Sequence, residues 1–212
     1  MTIAQRLKSR TMPKRASLTF IAALWLSAFV GVETARACAC CANDGQRYVE
    51  VMQLDSERRA EVRSVRFAKE AKLYVGEAGP EIVQGIVKPS ETYALDMQWE
   101  DGRAVFAMRD EAGHEGTLTL NLPNKITIFE VDPRDGNTSP GGGPLLYKEW
   151  KLTGAVTGAG VFNTGTATGQ LLTLILQGRG NSCTTAVDFT HWTLVMQGEK
   201  GNYTLFGALQ KP

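Results

Sequence analysis

Apolar and polar residues alternate with a period of two along most of the chain after residue 47. This is the pattern of strands that bury one face, whereas the helical spacing of apolar residues is scarce. The runs are short and are separated by turn-forming residues, which favours a mainly β fold, a single antiparallel β-sandwich or barrel-like domain. The predicted strands are 48–54, 81–87, 92–99, 103–108, 117–120, 125–131, 145–156, 171–177, 191–197 and 202–209.

Two interruptions of the alternation predict turns. Asp101-Gly102 lies between two strand candidates and predicts a tight hairpin of type I′, whose two central residues both take positive φ. The stretch 132–144 holds three prolines and four glycines, which exclude regular secondary structure. We predict a flexible loop within one domain there. A linker between two small domains is the alternative, although each half would then approach the size at which a core becomes marginal.

The segment 55–72 departs from the strand pattern. It is rich in charge, begins with Asp55 and Ser56 as candidate caps, and spaces several apolar residues three apart. These features predict one short helix. Val65 and Phe67 also alternate, so a further strand is the alternative for part of the same segment.

The first 37 residues have the composition of a cleavable signal peptide. Five basic residues and no acidic residue precede position 16, positions 16–32 carry no charge, and Ala35-Arg36-Ala37 places small residues where a leader peptidase cuts. We therefore predict a leader at 1–37 and an exported domain at 38–212, periplasmic or secreted. One alternative is an uncleaved membrane anchor, because the apolar run is little shorter than the ~20 residues of a span. The other is a lipid anchor at Cys38, to which Arg36 is poorly suited.

Removal of the leader changes the charge balance. The whole chain has 23 basic and 22 acidic residues, and the leader contains six of the basic ones and one of the acidic ones, which leaves 17 against 21. A mildly acidic domain lacks the clustered Lys and Arg that nucleic-acid binding requires. We expect no nucleic-acid partner, and no stable membrane span after cleavage because no second apolar run approaches the required length.

Four cysteines remain in the exported domain, and three of them lie in Cys38-Ala39-Cys40-Cys41. In an oxidising compartment they are expected to be bonded. A bond between Cys40 and Cys41 is the least favoured sterically, and each of the other two pairings joins Cys183 to Cys40 or Cys41. The common prediction is a disulfide tie from the mature N-terminus to Cys183.

The same cysteines suggest two other chemistries. Closely spaced thiolates bind soft metals, so copper or zinc held by Cys38, Cys40 and Cys41, with Cys183, Met52 or His191 completing the ligand set, is an alternative. Thiol-redox chemistry of a strained local disulfide is another, although the usual C-x-x-C spacing is missing. With disulfides as the preferred interpretation, no cofactor is expected.

A polar loop before the last two strand candidates holds the other candidate site. Arg179, Asp188, His191 and Trp192 lie close together in sequence and are predicted to form a ligand-contacting rim. Ser182 lies outside any G-x-S-x-G elbow, which argues against a hydrolase built on Ser182, Asp188 and His191. The sequence therefore predicts an exported, non-enzymatic module that binds a small ligand or a protein and is stabilised by disulfides, with metal handling or thiol redox as the alternative.

Overall fold

The computed structural model describes residues 45, 47–77, 79–132, 146–166, 169–180, 182 and 185–211. The predicted leader, the four cysteines and the predicted loop beyond Asp132 lie outside the described residues. Within them the chain forms one α-helix and ten strands. The helix is α1 (Ser56–Ser64), and the strands are β1 (Arg47–Gln53), β2 (Glu70–Leu73), β3 (Thr92–Glu100), β4 (Arg103–Arg109), β5 (Glu115–Asn121), β6 (Lys125–Val131), β7 (Leu146–Gly160), β8 (Leu171–Gly180), β9 (Phe189–Gln197) and β10 (Tyr203–Ala208).

Eight of the strands close an antiparallel barrel in the order β7-β5-β4-β3-β2-β10-β9-β8, and β8 pairs back onto β7. The fold is therefore mainly β, as predicted, and of the two architectures considered it is the barrel. Closure is made by the 15-residue strand β7. Its second half pairs with β5, whereas its first half pairs with β6, which in turn pairs with β1. Strands β1 and β6 thus extend the sheet beyond the closed ring.

Period-two burial fills the barrel. On β8 the even-numbered residues from Leu172 to Leu176 are fully buried, and the odd-numbered ones face outward. The largest fully buried side chains are Trp150, Trp192, Tyr93 and Phe106. Aromatic rings contact one another across the interior, with Phe67 lying 5.8 Å from Phe106 and 5.6 Å from Trp192 between ring centroids. The inside of the barrel is therefore occupied by side chains.

Helix α1 confirms the predicted helix, although it is shorter than the segment 55–72. Asp55 is the N-cap, and its Oδ1 accepts a hydrogen bond of 2.9 Å from the backbone N–H of Arg58. The helix ends where Val65 becomes extended. Beyond it, Phe67 bridges to Leu209 and strand β2 begins, because the alternating residues there pack into the barrel rather than onto a helix face.

Two local predictions are wrong. The segment 81–87 is not a strand: it contains a 3-10 turn at Pro80–Ile82 and a single bridge from Gln84 to Asn202. The alternation of apolar residues in this segment does not reflect burial, since Ile82 is exposed. Gly85 packs so closely against Gly201 that a Cβ added at Gly85 would collide with the Gly201 backbone. The hairpin between β3 and β4 is confirmed, but it is not of type I′, because Gly102 has positive φ and Asp101 does not.

No helix in the described part of the chain has the length and apolar character needed to cross a bilayer.

Candidate functional site

The predicted ligand rim is divided between the two faces of the barrel wall. Trp192 is fully buried, and Asp188 points into the interior. Arg179 and His191 lie on the outer face of β8 and β9, where Gln177 is the register partner of His191. The structure therefore does not bring the four side chains together on one surface, since neighbours along a strand alternate between its faces.

Asp188 belongs to a buried ionic cluster. The Nζ of Lys148, a fully buried residue on β7, donates to Asp188 Oδ2 at 2.6 Å and to the carbonyl oxygen of Ser182 at 2.7 Å. The backbone N–H of Ser182 donates to the same Asp188 oxygen at 2.8 Å. A Cβ at Gly180 would overlap the Asp188 carboxylate, so glycine is required for this approach. The cluster fixes the segment before β9 against β7.

Opposing influences act on the pKa of Asp188. Partial burial raises the pKa, but hydrogen bonds from Lys148 and from the Ser182 backbone outweigh the burial and hold the pKa below its ordinary value. The carboxylate is therefore ionised and engaged. Because both members of the Lys148–Asp188 pair are occupied by each other and by the backbone, we assign the pair a structural role.

A second carboxyl group lies beside this pair. Glu130 on β6 is the register partner of Lys148 and is buried, and its Oε1 has no hydrogen-bond partner among the described residues. Burial raises the pKa of Glu130, Lys148 opposes the rise, and Glu50 on β1 adds to it. The ionised form of Glu130 is thus disfavoured in the folded protein.

Helix α1 covers this end of the barrel. Glu61 accepts a hydrogen bond of 2.6 Å from the backbone N–H of Ala186, and the guanidinium carbon of Arg58 lies 5.2 Å from the ring centroid of Trp150. Arg63 donates to the carbonyl oxygen of Glu100 at 2.9 Å, which ties the helix to the β3–β4 turn. These contacts cover this end of the interior, which offers a pocket of only about 190 Å³ between α1 and residues 185–189.

An open groove of about 320 Å³ lies instead on the outside of the barrel. We call it the wall groove. Its floor is the backbone of β9 and β10 at Trp192 and Gly207. Its side-chain lining comes from four neighbouring segments and consists of Tyr74, Gln177, His191, Thr193, Thr204 and Phe206.

Strand register explains how residues distant in sequence meet at the wall groove. Phe206 on β10 opposes Thr193 on β9, and Tyr74 follows β2 with its backbone N–H bonded to Thr204 at 2.9 Å. Tyr74 and Phe206 are therefore diagonal neighbours on the outer face. They remain 68% and 38% exposed, which is unusual for two large aromatic residues side by side on a barrel wall.

A larger groove of about 490 Å³ lies on the outer face of β3, β4, β5 and β7. Small residues such as Ala94, Ala107 and Ala159 line much of it, and Arg109 and Glu115 at its edge face each other at 3.8 Å. It offers no large exposed apolar side chain. The wall groove is the better candidate because its lining combines aromatic rings with uncharged hydrogen-bonding groups.

Within the described residues, no group of three or more His, Cys, Asp or Glu side chains is placed to hold a metal ion. Met52 faces the inner side of β1 and packs against the core, whereas His191 faces outward from β9. The cysteine cluster itself lies outside the described residues, so the copper or zinc hypothesis stays a prediction.

The sequence interpretation did not single out Tyr74, Phe206 or Lys148. A weak signal exists for Phe206, because Leu205-Phe206 breaks the alternation of β10 and places an apolar residue on the outer face. Lys148 stands at an inward position of an alternating strand, which marks it as a buried charge in need of a partner. Its partner Asp188 is 40 positions away, and only the fold identifies it.

Comparison with protein-family models, curated proteins and solved structures finds no match to this chain.

Proposed function

We propose that this chain is an exported, non-enzymatic binding protein in which a filled barrel presents the wall groove to a small ligand. The single observation that carries the proposal is the exposed pair Tyr74 and Phe206 beside a groove of about 320 Å³. That volume lies at the lower end of the range of about 300–1,000 Å³ for small-molecule sites. Aromatic residues that remain exposed and adjacent favour binding because a ligand would remove their apolar area from water.

The groove lining also favours binding over catalysis. Among the described lining residues there is no carboxylate, lysine or cysteine, and His191 is the sole titratable group apart from Tyr74. The Nδ1 of His191 lies 2.9 Å from the Thr190 hydroxyl, and no second acid or base lies beside it in the lining. Nucleophilic catalysis of the triad type uses a base that a third group orients, and the described lining holds no carboxylate that could orient His191.

The proposal includes the predicted disulfide tie to Cys183, which the strand register supports. Arg47, Val131, Tyr147 and Arg179 are consecutive register partners across β1, β6, β7 and β8. Three strand spacings of about 4.8 Å separate the first and the last of them, roughly 14 Å. Cys41 precedes Arg47 by six positions and Cys183 follows Arg179 by four, and each residue of chain spans up to about 3.3 Å. A bond from Cys183 to Cys40 or Cys41 is therefore within reach.

The same proximity serves the second candidate function, in which the cysteines handle copper or zinc or undergo thiol-redox reactions. The two candidates differ in the state of the thiols. Thiol counting on protein purified without reductant, together with metal analysis, separates them: two bonded pairs and no metal support the binding module, and free thiols with bound metal support metal handling.

Ligand-dependent thermal stability tests the proposed function. A ligand that binds the native state raises the melting temperature by mass action. At a tenfold excess over the dissociation constant we expect a rise of about 3–6 °C for a domain of this size. The probe is a library of neutral fragments that includes small aromatic amides, phenols and saccharides.

Two variants locate the site. Phe206→Ala is expected to lower the shifts given by the hits to about a third, whereas Leu171→Ala, which removes a comparably exposed outer residue on β8, is expected to preserve them. Hits that shift the Phe206→Ala variant as strongly as the wild type would contradict the proposal, and so would a library without hits.

A further inference from the structure

We propose that the ligand of the wall groove is a neutral saccharide, an inference that rests on the proposed function and assigns the chemical class of the ligand. Three features of the groove favour this class: the absence of charge in the described lining, the exposed aromatic rings, and the unused hydrogen-bonding groups between them.

The charge of the lining selects against ions. Of the six lining side chains, five are uncharged and the sixth is the titratable His191. Lys72 is the register partner of Phe206, and its Nζ lies 3.5 Å from Glu70 Oε1. Within the lining an anionic or cationic ligand would find no lysine, arginine or carboxylate to pair with, and it would lose part of its hydration on binding. A neutral ligand carries no such cost.

The aromatic rings supply apolar contact. Tyr74 and Phe206 are diagonal neighbours on adjacent strands, a placement that separates their Cβ atoms by roughly 7 Å. Rings at this spacing on an open wall suit a ligand with an apolar face about the size of one sugar ring. Pyranose rings have such faces, formed by axial C–H groups.

Hydrogen-bonding groups surround the rings. Within the described part of the chain, the hydroxyls of Thr193 and Thr204 and the amide nitrogen of Gln177 have no protein partner, and Gln177 Oε1 lies 3.4 Å from the Tyr147 hydroxyl. The Nε2 of His191 is likewise without a partner among these residues. A purely apolar ligand would leave these groups unused, whereas the hydroxyls of a sugar both donate to and accept from them.

The open form of the groove predicts weak binding. A site that does not enclose its ligand buries little area, so we expect dissociation constants on the order of 1 mM for a disaccharide. Calorimetry or NMR titration with cellobiose, maltose and lactose measures this directly, and glucuronic acid serves as the charged probe.

The expected result is binding of at least one neutral disaccharide, with glucuronic acid binding at least about tenfold more weakly. Phe206→Ala and Tyr74→Ala should each weaken the disaccharide about tenfold, as expected for aromatic anchors of a site. The matched control Leu171→Ala should bind as the wild type does, and unchanged thermal unfolding of each variant would show that the fold is intact.

Three results would overturn the inference. If aromatic amides or phenols bind at the wall groove and none of the disaccharides does, the ligand class is wrong and the proposed function stands. If neither class binds there, the proposed function fails as well. Disaccharide binding that survives both aromatic substitutions would place the saccharide elsewhere and would also overturn the inference.

Discussion

The buried charges of the barrel illustrate how single residues set local structure. Lys148 lies at a fully buried position, where an unpaired ammonium group would cost several kcal/mol. Asp188 and the Ser182 carbonyl supply its partners, and the segment before β9 is fixed as a result. From the sequence, Asp188 was predicted to belong to a ligand rim. The sequence does not show that Lys148, 40 positions away on β7, points at Asp188.

A double-mutant cycle tests this pair. Because each single change leaves a buried charge without its partner, Asp188→Ala and Lys148→Met are each expected to lower the free energy of unfolding by about 3–5 kcal/mol. The double variant should lose clearly less free energy of unfolding than the two single variants lose together. Chemical denaturation measures the free energy of unfolding of all three variants.

The exposed pair Lys72 and Glu70, 3.5 Å apart, provides the control for this cycle. Its coupling free energy should be about 0.5 kcal/mol or less, because exposed charges remain hydrated. Additive effects at Lys148 and Asp188 would show that the two residues act independently.

Glu130 gives a prediction with a defined sign. Its folded-state pKa is raised, so its contribution to stability is fully present below the unfolded pKa of about 4.3 and is lost as the pH rises through the folded pKa. Glu130→Gln removes this pH-dependent loss of stability because glutamine does not ionise. We expect the variant to gain stability relative to the wild type between pH 4 and pH 7, as measured by urea denaturation at both values. A constant difference across that range would mean that Glu130 ionises freely.

At the scale of elements, alternation predicted most of the strands because burial in a barrel wall follows the pleat directly. It failed at 81–87, where the segment runs across the end of the barrel and a close approach of Gly85 and Gly201 decides the path. The alternation also did not predict where β7 ends. The strand continues to Gly160 because β5 pairs with its second half. Such tertiary pairing leaves no local signal.

The stability of helix α1 is expected to depend on its N-cap, Asp55. Asp55→Ala removes the acceptor for the Arg58 backbone N–H and is expected to lower the free energy of unfolding by about 1 kcal/mol. Asp55→Asn should lie near the wild type, because asparagine caps equally well. Equal destabilisation by both substitutions would indicate that the negative charge, rather than the hydrogen bond, matters.

At the scale of the whole molecule, the predicted disulfide concerns the strand ends of β1 and β8. The register of β1, β6, β7 and β8 places Arg47 and Arg179 three strand spacings apart, at the strand ends nearest in sequence to Cys41 and Cys183. The sequence predicted this tie from compartment and spacing. It could not predict the wall groove, because that surface is assembled from β2, β8, β9 and β10 only when the barrel closes.

The proposed leader and disulfides yield one prediction for protein purified from the periplasm or the culture medium. Its intact mass should correspond to a chain that begins at Cys38, and none of its four cysteines should react with an alkylating agent before reduction. In a chain-entropy model the long loop closed by Cys183 contributes roughly 4–5 kcal/mol, so reduction should lower the denaturation midpoint markedly. A retained leader or reactive thiols would contradict the respective parts of this prediction.

The most direct test of the central claim is the location of ligand-induced amide shifts in an NMR spectrum of the isotope-labelled protein. With a neutral ligand added to saturation, we expect shifts concentrated at Tyr74, His191, Thr193, Thr204 and Phe206 on the outer wall, and in Phe206→Ala we expect the same shifts to require a roughly tenfold higher ligand concentration. Shifts concentrated at the larger groove near Ala107, or in the interior around Trp150, would contradict it.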